Sequence, residues 1–154
     1  MKIKIKRFEE LTTVELYEIL RCRSEVFVLG QECIYQDIDM IDQTSTHLYY
    51  EEDGKIMAYL RVIDPGVKYS AASIGRVLTM KEYRGRGLSR SLMTEAIRIA
   101  STLSNTIEIE AQAYLREFYK SLGFKESSEV FMLENIPHIS MVLNVNVPDE
   151  SVIQ

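Results

Sequence analysis

Arg84-Gly85-Arg86-Gly87 sets two cations and two glycines directly before an apolar-periodic run that opens at Leu88. In a strand-to-helix turn of this kind, glycine lets the main chain approach a ligand closely, and the first N–H groups of the helix lack partners. Those donors and the positive end of the helix dipole form an anion site, with a pyrophosphate as its natural occupant. The same residues also read as an ordinary turn with solvated arginines. Other glycine motifs fit worse. A dinucleotide fingerprint needs glycine where Arg90 stands, and a Walker loop needs a Gly-Lys-Ser/Thr ending.

Two further groupings carry polar chemistry. In TIEIEAQ, Glu108, Glu110 and Gln112 alternate with Ile107, Ile109 and Ala111, which puts the three polar side chains on one face of a strand. Such a face meets solvent, a partner or a site. Glu32, Asp37, Asp39 and Asp42 crowd one segment, but Ile41 and Asp42 stand where a calcium loop needs a polar residue and glycine. No metal is indicated. The segment reads either as a solvated charge run or as a receiver for a cationic amine through Glu32, Asp37 and Asp39. His47 and His138 are isolated and read as structural, and Cys33 has no histidine beside it in sequence to activate it.

The elements that position these groups follow from periodicity. Ile3 and Ile5 alternate with Lys2, Lys4 and Lys6 as a half-buried strand. Leu16, Ile19, Leu20, Arg23 and Phe27 recur at helical spacing, predicting a helix over 11–29 with Thr12 or Thr13 as N-cap and Gly30 as its stop. Residues 31–46 form a long loop. Strands over 47–50 and 55–62 flank Asp53-Gly54, a hairpin signal. A strand over 73–80 leads through the glycine turn to a helix with Leu88, Leu92, Ala96, Ile99, Ala100 and Leu103 on one face. A strand over 106–112 precedes a short helix marked by Leu115, Phe118, Tyr119 and Leu122 and closed by Gly123. Strands over 129–133 and 139–147, separated by Pro137, complete an α/β mixture on a largely antiparallel sheet.

At 154 residues and 46% hydrophobic content the chain suits one domain, assigned to 1–144, with a C-terminal tail over 145–154. A net charge of -5 and a pI near 5.2 disfavour a nucleic-acid partner. The amino terminus alternates charged and apolar residues, which fits neither a signal peptide nor a membrane span. Cys22 and Cys33 match no disulfide framework or zinc motif, so a reducing cytoplasm is the expected compartment.

Arg84, Gly87 and Ser89 resemble the Arg/Gln-x-x-Gly-x-Gly/Ala signature of the Gcn5-related N-acetyltransferases (GNAT), with Ser89 in place of the last small residue. "AQAYLREFYKSLGF" (111–124) looks like that superfamily's closing strand-helix element. With "VFVLGQECIYQDIDMID" (26–42), "IGRVLTMKEYRGRG" (74–87) and "IPHISM" (136–141), the chain is similar to the ElaA-type branch from near residue 14 to 143, with Tyr114 where that branch has histidine. The resemblance implies the GNAT acyl-CoA N-acyltransferase fold, a mixed sheet flanked by helices on both faces and splayed between the strands at 73–80 and 106–112. It implies acetyl-CoA as co-substrate and a small-molecule or peptide amine as acceptor, with no covalent enzyme intermediate. Pantetheine would then bond the backbone of Leu78, Thr79 and Met80, while Arg84, Gly85, Arg86, Gly87, Leu88 and Ser89 hold the pyrophosphate, and Gln112 joins the cofactor-binding set. Tyr119, from the family's Phe-Tyr pair, would be the acid that protonates the leaving thiolate, and Glu110 the base. The alternative on the same fold is a noncatalytic acyl-CoA-binding regulatory module. A homodimer is compatible with this reading.

Overall fold

The computed structural model describes residues 1–145; the expected C-terminal tail, from 146 on, lies outside the described residues. Strands β1 (Lys4–Arg7), β2 (Ser45–Glu52), β3 (Lys55–Ile63), β4 (Ala72–Thr79), β5 (Thr106–Gln112), β6 (Lys125–Glu126), β7 (Phe131–Leu133) and β8 (Ile136–Asn144) form one eight-stranded sheet. Its order is β1-β2-β3-β4-β5-β8-β6, with β7 also paired to β8. All pairings are antiparallel except β4 with β5. Helix α1 (Thr13–Arg23) covers one face, and α2 (Leu88–Ser101) and α3 (Arg116–Ser121) cover the other.

Thr12 caps α1: its side chain accepts from Glu15 N–H, and the Glu15 carboxylate accepts from Thr12 N–H. Regular α-helix stops at Arg23, short of the expected 29, and a π-helical turn over Ser24–Leu29 follows. Gly30 ends it by donating its N–H to Glu25 O at 2.7 Å. A Cβ at Gly30 would stand 2.9 Å from the carbonyl oxygens of both Glu25 and Val26, so crowding excludes a side chain there.

Leu88, Leu92, Ala96 and Ala100 form the buried stripe of α2, with Met93 beside it. Leu103, expected on that face, lies beyond the helix end and is 43% exposed. Asp53 (φ 52) and Gly54 (φ 76) both take the left-handed conformation that a two-residue hairpin turn requires, and they join β2 to β3 as expected. Glu134 and Asn135 do the same between β7 and β8. Pro137 therefore lies inside β8, opposite Met132, instead of separating two strands.

The sheet is irregular at β4. Arg61 faces Gly75 while Tyr59 faces Leu78, so three steps on β4 oppose two on β3. The extra residue is accommodated at Arg76, whose φ of 52 is left-handed. One inserted residue reverses which way later side chains point. Thus Ile74 packs with the α2-face cluster, and Leu78 and Met80 pack with α1 on the other.

Candidate functional site

Beyond the bulge, β4 and β5 separate. They pair only at Ala72 with Ile107 and Ser73 with Glu108, leaving a cleft of about 1030 Å³ between the outer halves of the two strands. Ile107, Ile109 and Ala111 belong to the core under α2 and α3. Glu110 and Gln112 therefore face the α1 side, and the cleft passes through the sheet from one face to the other.

At one mouth, Gly85 (φ 82) and Gly87 (φ 72) are left-handed, and no atom lies within 4 Å of where a Cβ would stand on either. Gly87 is the N-cap of α2 and supplies no side-chain bond, in contrast to Thr12 on α1. The first helical bond is Ser91 N–H to Gly87 O, so the N–H groups of Leu88, Ser89 and Arg90 precede the helical ladder. Arg84 and Arg86 are exposed beside them, and Arg90 stacks on Phe118 at 5.2 Å. This cradle of open donors and cations fits a pyrophosphate. Ser89 turns its hydroxyl 2.5 Å from that of Thr79, away from crowding the turn.

The ladder decides which backbone groups of β4 face the opening. Met80 donates its N–H to Met57 O at 2.9 Å and its carbonyl accepts from Tyr83, so both groups are engaged. In an antiparallel ladder successive residues direct their groups to opposite sides. Thr79, and by the same alternation Val77, turns its N–H and C=O away from β3 toward the cleft, where the Thr79 carbonyl already accepts from Arg84 Nε at 3.2 Å. Leu78 pairs with Tyr59 and borders the cleft with its side chain, as Met80 does.

Tyr119 lines the cleft from the α3 side, 6% exposed and edge-on to Phe118 and Phe124. Among the described residues its hydroxyl has no hydrogen-bond partner. Burial pushes its pKa up, with a smaller contribution from Tyr114, so it stays protonated at neutral pH. Glu110 lines the cleft from the α1 side. Its Oε1 accepts from the Tyr69 hydroxyl at 2.7 Å, and Lys68 Nζ stands 3.5 Å from Oε2. Gln112 and Gln31 exchange two side-chain amide hydrogen bonds, at 3.0 and 3.1 Å, which tie the segment after the π-helical turn to the end of β5.

The acidic segment is placed differently from a receiver of cations. Asp37 bonds Arg23 Nε at 2.9 Å and Arg76 Nε at 2.8 Å. Asp39 bonds Arg61 at 2.5 Å, and Asp42 bonds both Arg23 (2.6 Å) and Arg61 (2.9 Å). Burial opposes ionisation of Asp39, but the hydrogen bond and charge of Arg61, the charge of Arg76 and the Ile41 N–H together outweigh it and hold the carboxyl below its usual range. Three arginines thus balance three aspartates, and Asp37 and Asp39 are not offered to an acceptor as free charges. Glu32 is exposed, with a left-handed φ of 50. Arg61 Nε is buried without a partner among the described residues. His47, fully buried, donates Nε2–H to Asp42 O; burial lowers its pKa, and in the neutral ring Nδ1 accepts from the Tyr59 hydroxyl.

The family described as an acetyltransferase (GNAT) domain matches residues 11–145. The chain belongs to the GNAT family. Protein ElaA of Escherichia coli is 34% identical over 140 residues, 88% of this chain and 92% of that one. Its crystal structure superposes with a TM-score of 0.86, covering 93% of this chain and 99% of ElaA. An acyl-CoA N-acyltransferase from Pseudomonas aeruginosa gives the same TM-score at 37% identity, with 93% and 99% covered. The chain lies in the ElaA-type branch of GNAT, and its reaction class is acyl transfer.

Val77, Gln31 and Arg76 border the cleft and Arg90 borders the glycine turn, and the sequence reading named none of them as candidates. The Gly-Arg pair at 75–76 was the available signal for the bulge, since an isolated glycine in a strand marks such irregularities.

Proposed function

We propose that this protein transfers an acetyl group from acetyl-CoA directly to a primary amine of a small molecule or peptide in the cytoplasm. The observation that carries the reading is the cleft through the sheet, with a phenol on one side and a carboxylate on the other. Acetyl-CoA, when bound, supplies an acetyl group activated as a thioester. Gly85, Gly87 and the N–H groups of 88–90 would hold its diphosphate, with Arg84, Arg86 and Arg90 adding charge. The Thr79 N–H and the Val77 N–H and C=O would bond the pantetheine as a neighbouring strand does.

Glu110 takes a proton from the acceptor ammonium, directly or through water. Its Oε2 is the oxygen that receives the proton, because Tyr69 occupies Oε1 at 2.7 Å while Lys68 Nζ is only at the 3.5 Å edge of Oε2, a pairing the incoming ammonium would displace. As the C–N bond forms and the C–S bond breaks, Tyr119 gives its hydroxyl proton to the departing thiolate sulfur, and the second proton of the amine nitrogen passes to water, from which Tyr119 is reprotonated. No covalent enzyme intermediate is invoked. Burial keeps the Cys22 thiol up near a pKa of about 12, and Cys33 directs its thiol hydrogen at Glu134 O, 3.1 Å away, instead of at a base. Both cysteines are free, which suits a reducing compartment.

The test is thiol release from acetyl-CoA across a panel of amines, with mass spectrometry of acceptor and protein. Acetylated amine and unmodified protein are expected. An acetylated cysteine that forms and decays at the turnover rate would overturn direct transfer.

A further inference from the structure

At the α1-side mouth, two ties close a ring of residues around the cleft. Gln31 and Gln112 join the segment after the π-helical turn to β5, and Cys33 joins the same segment to the β7–β8 turn through Glu134 O. Tyr114 stands two residues past Gln112. Phe27, Tyr35, Tyr114, Leu133 and Ile136 all border the cleft. Tyr114 is 75% exposed and Leu133 is 38% exposed, although both are apolar-bodied and neither packs in a core cluster. Tyr35 is held rigid, with its hydroxyl on Asp37 at 3.1 Å and its ring under the Arg76 guanidinium at 5.6 Å.

Charge at this mouth is already committed. Arg76 is paired with Asp37 and Asp39, Glu110 is held by Tyr69 and Lys68, and Glu25 pairs with Arg21. Among the described residues Glu134 and the neighbouring Glu32 are exposed and without an ion-pair partner at this mouth, and Glu82 is without one at the glycine-turn end. Of these only Glu82 and Glu134 line the cleft, at separate ends. A polycation needs several such carboxylates, whereas an apolar body needs only the collar. We infer that the acceptor is a primary amine borne on an aromatic or branched aliphatic body, such as an arylalkylamine, and not a polyamine. The inference rests on the acyl-transfer reading above. A tenfold preference corresponds to about 1.4 kcal/mol, which burying roughly 60 Å² of apolar surface supplies.

The experiment compares kcat/KM of the full chain for 2-phenylethylamine and isoamylamine with that for putrescine and spermidine, at saturating acetyl-CoA. The two apolar amines should be favoured at least about tenfold, with a KM that added salt leaves nearly unchanged. Tyr114→Ala and Leu133→Ser should each raise the KM for 2-phenylethylamine severalfold without changing that for acetyl-CoA. Equal or better use of the polyamines overturns the inference. Calorimetric binding of the same amines to the CoA complex separates the two readings. Tighter binding of 2-phenylethylamine without any thiol release sinks the transfer reading and keeps the apolar collar, whereas equal or weaker binding sinks the collar.

Discussion

Glu110 and Tyr119 border one cleft from opposite faces of the same sheet. Proton removal from the amine and proton delivery to the thiolate are therefore separated in space, so each group can act without exchanging its proton with the other. In the proposed mechanism the acyl carbon sits between them, in the gap that β4 and β5 leave.

Tyr119→Phe keeps the ring contacts with Phe118 and Phe124 and removes only the hydroxyl. The expected result is a fall in kcat of about 100-fold or more, with thermal stability and acetyl-CoA affinity little changed. Stopped-time assays of CoA release, paired with calorimetry, measure both. A stability loss with normal turnover would make Tyr119 a core residue alone.

Gly87→Val forces a β-branched residue into a φ of 72, where nothing in the protein fills the added space. Folding should survive at a cost of about 1–2 kcal/mol, while acetyl-CoA affinity falls at least about tenfold. Isothermal titration reads the affinity directly, and an unchanged value would remove the glycine turn from the cofactor site.

Asp37→Asn leaves the fully buried Arg23 and the adjoining Arg76 short of one negative charge. Breaking a buried pair by neutralising one partner costs about 3–5 kcal/mol. Urea denaturation should show that loss at low and high salt alike, because the pair is shielded from the screening ions. A variant of native stability with a raised KM for cationic amines would return the acidic segment to substrate binding.

Glu15 sets a pH dependence. Burial pushes its carboxyl up, but hydrogen bonds from Lys6, the Thr12 N–H and Tyr49 outweigh that and hold its pKa at about 2, below the ordinary 4.5. A depressed carboxyl stabilises the fold above its unfolded pKa and loses that contribution as pH falls toward its folded value. Glu15→Gln should therefore cost on the order of 1–3 kcal/mol at neutral pH. The gap from wild type should close between about pH 4.5 and 2. A gap that stays constant with pH would assign the loss to the cap geometry alone.

Local chemistry made the glycine turn, the Asp-Gly hairpin and the α2 stripe legible, because each depends on residues adjacent in sequence. The buried ion cluster was not, since Arg23, Arg61 and Arg76 reach Asp37, Asp39 and Asp42 only after α1, β3 and β4 have packed. The aspartates looked solvated because their partners were 14 to 39 positions away. β6 went unread because two residues carry no period, and β8 was started three residues late because Pro137 signals a break. The sequence could not tell that Met80, expected beside the cofactor, has both backbone groups engaged, because only the β3 ladder and the turn at Tyr83 occupy them.

The left-handed Arg76 gives β4 a property that point substitutions do not probe. Ile74 and Leu78 face opposite layers only because one residue is absorbed between them. Deleting a residue from 75–77 would restore even spacing and swing Leu78 and Met80 out of the α1 layer, and an insertion there would add a second reversal of face. This part of the strand is thus far less tolerant of changes in length than of changes in side chain, so its residue count should be the more constant feature when related chains diverge.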